Sequence, residues 1–294
     1  MRILFIGCVE FSARALQTLI AAKVEVAGVV TRRQSVFNAD FADLQPLCAA
    51  AGLAIHFTSD VNSGETLDWI GSRRPDIVFC FGWSSLIKRE LLAMPAMGVI
   101  GFHPAALPRN RGRHPLIWAL ALGLEETAST FFFMDEGADS GDLLDQRPVP
   151  IHYEDTARTL YDRVAATALA QITAFLPKLQ AGTFSRTPQD HRLANTWRKR
   201  GKNDGLIDFR MSSRGVYNLV RALTHPYIGA HALYRDQEVK VWAAREERTA
   251  AANIEAGKVV AVEENALLVK CGEGAVWLLR HEFTPMPAAG EYLG

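Results

Sequence analysis

Apolar residues fall along this chain in two rhythms, short solid runs and stripes that return every three or four positions. Positions 2–6 form a solid run that predicts a buried strand, Gly7 its turn, and 11–22 a helix with Phe11, Ala15, Leu16, Leu19 and Ile20 on one face. A second solid run at 24–30 comes next, and a strand, helix, strand unit implies a right-handed crossover and a parallel sheet. The alternation continues with a helix at about 41–51, a strand at 54–57, a helix at 64–73 and a strong strand at 77–81 that ends in Gly82-Trp83-Ser84-Ser85-Leu86-Ile87. A strand at 99–102 leads into His103, and Pro115 suits the first turn of a helix running to about 122. Strands are predicted at 127–134 and 147–151. The longest helical stripe, Leu160, Val164, Ala168, Ile172 and Phe175, predicts a helix over 157–176, with Pro177 expected to kink or stop it and Gly182 to close the turn.

Patterning then changes. Residues 184–203 are polar and basic and read as a linker; beyond them a helix at 213–223 precedes short strands at 230–234, 239–243, 257–262, 266–271 and 275–279. Short, evenly spaced strands suggest a small β-barrel. The expected architecture is therefore α/β: a Rossmann-like domain with a parallel-rich sheet at 1–183, a linker at 184–203 and a smaller OB-like C-terminal β-barrel domain at 204–294.

Composition narrows the function classes. The 294 residues carry 32 Lys+Arg against 32 Asp+Glu, so no global field holds a polyanion or an anionic membrane, and neither nucleic acid nor membrane is the expected partner. No apolar run approaches the roughly 20 residues of a membrane helix and no signal peptide is evident, which makes the cytoplasm the expected compartment. Cys8, Cys48, Cys80 and Cys271 are widely spaced without a CxxC pair, so buried reduced thiols and no metal are expected. The turn Gly7-Cys8-Val9-Glu10-Phe11 lacks the second and third glycines of a dinucleotide fingerprint.

Two segments gather the remaining chemistry: Gly101-Phe-His103-Pro-Ala-Ala-Leu-Pro108-Arg-Asn-Arg-Gly112-Arg-His-Pro115, and Met134-Asp-Glu-Gly137-Ala-Asp139-Ser-Gly141-Asp142. Each comes directly after an apolar strand, which sets a histidine and an acid where open α/β sheets place their chemistry. If those strands are neighbours, the carboxylate can orient the imidazole as a proton carrier. No Gly-x-Ser-x-Gly elbow, reactive cysteine or metal cluster competes.

With the opening Arg-Ile-Leu-Phe-Ile-Gly and the 36 positions from His103 to Asp139, these motifs resemble the N10-formyltetrahydrofolate-dependent formyltransferases over nearly the whole chain. The resemblance implies that His103 and Asp139 are catalytic, that Ser85, Leu86 and Ile87 hold the pterin of N10-formyltetrahydrofolate through backbone groups, and that Asp135, Glu136, Gly137, Ala138 and Asp139 form the loop closing on it. Arg113 and Trp83 would lie on the acceptor side. The family usually carries Asn two residues before the histidine as an oxyanion donor, where this chain has Gly101. A water, another side chain such as Asn110, Ser140 or His114, or reduced activity are then the alternatives.

Within the family, the methionyl-tRNA formyltransferases carry a long basic insertion after the second strand, replaced here by the short Arg32-Arg33-Gln-Ser-Val-Phe37-Asn38-Ala-Asp40-Phe41. Residues 198–294 hold 14 Lys+Arg and 12 Asp+Glu, too even a balance for counterion release from tRNA. The 37–41 segment, Phe81-Gly-Trp83-Ser, Asp208-Phe209, Val216-Tyr217-Asn218-Leu-Val-Arg221 and Pro226-Tyr227-Ile-Gly229-Ala230 look more like the sugar N-formyltransferases. The expected acceptor is then the amine of a nucleotide-linked amino deoxysugar, as in O-antigen and other lipopolysaccharide or surface glycans, and a homodimer is implied. Methionyl-tRNA, or folate or sugar-nucleotide binding without turnover, are the alternatives.

Overall fold

A computed structural model describes residues 1–34, 39–248 and 252–294. It divides into two compact units: residues 1–115, 127–149 and 163–197 form the first, residues 116–126, 150–162 and 198–294 the second. In chain order the elements are β1 (Arg2–Ile6), α1 (Glu10–Ala21), β2 (Glu25–Thr31), α2 (Gln45–Ala50), β3 (Ile55–Phe57), α3 (Gly64–Ser72), β4 (Ile77–Cys80), α4 (Arg89–Leu92), β5 (Val99–His103), β6 (Arg111–Gly112), α5 (Pro115–Ala121), β7 (Glu126–Phe133), β8 (Leu143–Pro150) and α6 (Ala157–Ala181). They continue with β9 (Thr196–Trp197), α7 (Ser213–Leu223), β10 (Ala230–Tyr234), β11 (Gln237–Glu247), β12 (Val259–Glu263), β13 (Ala266–Lys270) and β14 (Ala275–His281).

The first unit is built on a sheet of order β3-β2-β1-β4-β5-β7-β8. Strands β3, β2, β1, β4 and β5 run parallel, and β7 pairs antiparallel with β5, setting Gly101 opposite Phe132 and His103 opposite Thr130. Because side chains alternate along a strand, each strand feeds both faces of the sheet. One face is a continuous aromatic layer: Phe131 meets Phe81 (5.2 Å), Phe102 (4.9 Å) and Phe175 (5.0 Å), and Phe11 of α1 meets Phe102 at 4.3 Å. Tilted and edge-on rings at these separations are the favoured arrangements. The other face buries Leu4, Ile6, Val78, Cys80 and Val99 with Ile70, Ile87 and Leu91, against which Trp83 and Met134 pack.

Two local details depart from the periodic pattern. Helix α2 begins at Gln45 rather than near 41, where Pro46 sits in the first turn and Asp43 accepts the Gln45 N–H at 2.9 Å. Helix α6 runs through Pro177 to Ala181 instead of stopping there. Leu176 and Leu179, on either side of the proline, are buried, so continued packing outweighs the one lost amide bond. Gly182, at φ 67°, then ends it as expected. On β7, the Ser129 hydroxyl donates to Gln171 Oε1 and the Gln171 amide donates back to the Ser129 carbonyl (3.1 Å), which fixes α6 on the strand that faces β5.

The second unit holds the five-stranded antiparallel sheet β10-β11-β14-β13-β12, together with α7. Ser212 caps α7, accepting the Gly215 N–H at 3.1 Å. The buried Arg221 guanidinium donates to the carbonyls of His152, Tyr153 and Asp155 within the same unit.

All four cysteines are buried free thiols, as expected. Burial pushes the Cys48 thiol up to about 11 and those of Cys80 and Cys271 up to about 12, so the reactive thiolate is scarce at neutral pH. Alkylation of the native protein at pH 8 is expected to leave all four unlabelled, while unfolding in denaturant exposes all four to the reagent; mass spectrometry of the labelled protein reads the difference.

Candidate active site

Strands β1, β4 and β5 end side by side, with Ile6 beside Cys80 and Cys80 beside Gly101, so the loops leaving their carboxyl ends share one edge of the sheet. His103 is the last residue of β5, and only 4% of its surface is exposed. The loop after it is held by side chains of the neighbouring strands: Thr127 donates to Pro104 O (3.0 Å), Thr130 to Ala105 O (2.7 Å) and Gln146 to Leu107 O (2.9 Å). Asn110, in the left-handed region at φ 62°, turns its carbonyl onto His103 Nε2 at 2.7 Å. A carbonyl can only accept, so Nε2 carries the proton of that bond.

Asp139 also occupies the left-handed region, at φ 55°. Its Oδ2 accepts the Gly112 N–H at 2.9 Å and lies 3.6 Å from His103 Nδ1. That is ion-pair range but longer than a hydrogen bond, so Nδ1 faces the carboxylate without being tied to it. The structure thus brings together the histidine and the acid picked out by the sequence.

The loop 134–141 is organised by Asp135, whose Oδ1 accepts from Gly137 N–H (3.0 Å) and from the Ser140 hydroxyl (2.6 Å). At Gly141 an added Cβ would lie 1.8 Å from Phe133 O, which requires glycine there. Glu136 stands 3.8 Å from Arg89, the first residue of α4, and so sets this loop beside the 85–88 segment. Exposed ion pairs of this kind add little energy.

In that segment Ser85 and Leu86 are exposed and Ile87 is 3% exposed. Asn62, which the sequence pattern did not single out, grips it with both ends of its amide: Nδ2 donates to Leu86 O (3.0 Å) and Oδ1 accepts Lys88 N–H (2.8 Å). Trp83 lies under the Arg32 guanidinium (4.3 Å to the ring centre). Arg113 donates to Ser84 O, so its head group reaches the 82–87 loop. Phe37 and Asn38 lie outside the described residues, so the 37–41 segment cannot be placed whole.

The flank of Gly101 is filled. A Cβ there would meet Met134 Cγ at 2.9 Å and the Phe132 ring at 2.9 Å, so side chains of β7 and the residue after it occupy the volume next to this glycine. Of the substitutes considered for the oxyanion donor, Ser140 gives its hydroxyl proton to Asp135, and Asn110 meets His103 through its carbonyl.

Residues 1–175 match the family described as Formyl transferase, and residues 199–290 match Formyl transferase, C-terminal domain. The chain belongs to the formyltransferase family. It is an N-formyltransferase, with the Rossmann-like first domain and antiparallel C-terminal domain expected of it. Over 287 residues it is 30% identical to the methionyl-tRNA formyltransferase of Acetivibrio thermocellus, covering 96% of this chain and 92% of that one. Among solved structures it is similar in fold to the N-formyltransferase from Helicobacter canadensis in complex with folinic acid and dTDP-3-aminofucose, at TM-score 0.72 and 14% identity across 95% of this chain and 99% of that one. It is also similar to HypX from Aquifex aeolicus, at TM-score 0.70 and 21% identity over 96% of this chain, and spans 45% of the HypX chain.

Among the described residues of the formyltransferase, no group of three or more His, Cys, Asp or Glu could hold a metal ion, and no helix is long and apolar enough to cross a membrane. The first turn of α1 is engaged by its own chain: Val9 N–H donates to Ser12 Oγ (3.1 Å) and Glu10 N–H to Asp40 O (2.8 Å).

Proposed function

We propose that this formyltransferase moves the formyl group of N10-formyltetrahydrofolate to the amine of a nucleotide-linked amino deoxysugar, with His103 and Asp139 handling the proton. The observation that carries the choice of a small acceptor is the pairing of cations in the C-terminal domain. Arg198, Lys202, Arg210, Arg214, Arg235, Lys240 and Lys258 each stand 2.5–3.6 Å from a carboxylate, and Arg221 and Lys270 are buried. Cations already neutralised in pairs release few counterions on meeting a phosphate backbone. The Helicobacter canadensis relative, with folinic acid and a dTDP-linked amino sugar, shares the fold over nearly the full length of both chains.

The residues present fit the folate. Ile87 belongs to an apolar cluster with Leu91 and Cys80, flanked by Met134 and Trp83, and beside it the main chain of Ser85, Leu86 and Ile87 offers the donor and acceptor array that a flat pterin reads. When bound, the folate supplies a formyl carbon activated for attack by an amine. His103 Nδ1 takes up the proton that the amine loses and hands it to the folate nitrogen that departs as its bond to the formyl carbon breaks. Asp139 balances the transient charge on the ring, and the Asn110 carbonyl keeps Nε2 protonated throughout. Burial of His103 keeps competing water from the ring.

Asn62 holds the pterin loop without entering the chemistry. Asn62→Ala is expected to raise KM for the folate about tenfold with kcat little changed, since two hydrogen bonds that preform the loop are lost. Steady-state kinetics at varied folate concentration checks this.

The 30% identical relative favours a second acceptor, the amine of methionyl-tRNA. Mass spectrometry of a panel of nucleotide-linked amino sugars and of Met-tRNA, each incubated with enzyme and N10-formyltetrahydrofolate, separates the two. A gain of one formyl mass on a sugar is expected. Formylated Met-tRNA with no formylated sugar overturns the choice, and no product with any amine overturns turnover itself.

A further inference from the structure

The loop that carries Asp139 and the neighbour of the residue that holds His103 are tied to one buried amide. Gln189 lies in the polar segment after α6, yet its side chain is only 6% exposed. Its Nε2 donates to the carbonyls of Asp139 (2.9 Å) and Gly141 (2.6 Å), and its Oε1 accepts from Arg111 Nη2 at 2.6 Å. Arg111, itself 9% exposed, also meets His191 Nδ1 at 3.1 Å. It comes immediately after Asn110, the residue whose carbonyl receives His103 Nε2. Asn195, from the same segment as Gln189, closes the other side: its Oδ1 accepts Asn110 N–H (2.8 Å) and its carbonyl accepts Arg111 N–H (3.1 Å).

We infer that Gln189, braced by Arg111, is a positioning residue for formyl transfer, holding the Asp139 carboxylate at its working distance from His103. The inference rests on the reading of His103 and Asp139 as the proton-handling pair. Its chemistry is specific to an amide. Two N–H donors meet two carbonyls of one loop while the single oxygen meets a guanidinium, so every polar group of the side chain is satisfied in a buried place. The clamp also answers a conformational need. A left-handed, non-glycine backbone such as that of Asp139 persists only where its surroundings over-determine it. Asp135 ties down the start of the loop at Gly137 and Ser140, and Gln189 ties down its end at Asp139 and Gly141.

The test compares Gln189→Glu and Gln189→Ala with His103→Asn and Asp139→Asn. Glu keeps the shape and the partner for Arg111 but turns both donors into acceptors facing carbonyls. Its kcat is expected to fall by about 10²-fold, the cost of a small misplacement of catalytic groups, with KM for the folate little changed. The pH profile of kcat should also move, and the Glu variant should recover part of its rate relative to wild type as pH falls, because the protonated carboxyl can donate again. Gln189→Ala should lose kcat without that recovery. Unchanged kcat and a superimposable pH profile in both Gln189 variants, while His103→Asn and Asp139→Asn are slowed, would overturn the positioning role. A lowered melting temperature with kcat per folded molecule unchanged overturns it equally. Full activity of His103→Asn or Asp139→Asn brings down the underlying reading of the pair instead. If the Ala variant fails to fold, the near-isosteric Glu variant decides.

Discussion

Replacing His103 by asparagine is expected to lower kcat by about 10²–10⁴-fold, the range lost when a positioned acid–base group is removed. Asparagine is smaller than the ring and fits in its place, although its amide falls short of the Asn110 carbonyl that Nε2 reaches; it also lacks a nitrogen that can take up a proton and pass it on. The ring is buried, pinned at Nε2 by a 2.7 Å bond and aimed at Asp139 across 3.6 Å. Asp139→Asn should cost less than the histidine change, since the amide oxygen can still accept the Gly112 N–H and only the charge is lost. Single-turnover formylation with mass spectrometric detection, and circular dichroism to confirm folding, measures both. A His103→Asn enzyme within about tenfold of wild type removes the histidine from the proton path.

The part of the site that was legible in the sequence is the part written in local pattern. A solid apolar run ends at residue 102, and in an α/β sheet the residue directly after such a run lies at the carboxyl edge, which places His103 without knowledge of any contact. The 134–142 loop leaves β7, which runs antiparallel to β5, so its return to His103 is not written in that pattern. Strand order was not legible in the same way. The pairing of β5 with β7, which brings Gly101 opposite Phe132, is a long-range choice made by the aromatic layer on one face and by the Ser129–Gln171 pair between β7 and α6. Residues 184–203 show the opposite failure. Their composition is that of solvated chain, and most of them are exposed, yet β9 pairs with β6 at Arg111 and Gly112, and Gln189 and Asn195 reach into the site. Polarity over a window reports average exposure, so a lone buried amide, satisfied by carbonyls distant in sequence, leaves no trace in it. Asn62, half-buried, escapes sequence reasoning because its partners Leu86 and Lys88 are distant in the chain. Pro177 shows how far local propensity yields, since buried leucines on both sides carry α6 past it.

Gly101→Asn is expected to destabilise the enzyme by about 1–3 kcal/mol, as overpacking of a filled core does, and to leave formyl transfer no faster. The resemblance to the family alone suggests the reverse, because asparagine is the usual residue two positions before the histidine and an oxyanion donor is worth about 2.7–4 kcal/mol. Packing decides between the two. Gly101 and His103 share a face of β5, and on that face Met134 Cγ and the Phe132 ring each stand 2.9 Å from where the first side-chain atom would go. Phe132 is 2% exposed, and the backbone of Met134 is bonded to Val99 O at 2.7 Å, so neither withdraws freely. An amide inserted there must move a ring and a thioether before it can point anywhere. Met134→Ala removes one of the two obstacles, so the double variant Gly101→Asn/Met134→Ala should regain part of the stability lost, a coupling that a double-mutant cycle measures directly. Thermal melts of the four proteins with parallel kcat measurements give the answer. A Gly101→Asn enzyme with an undiminished melting temperature and a raised kcat would show that the space is yielding and that this enzyme works below the rate its site could reach. The expected outcome shows instead that β5 and β7 have closed over the position.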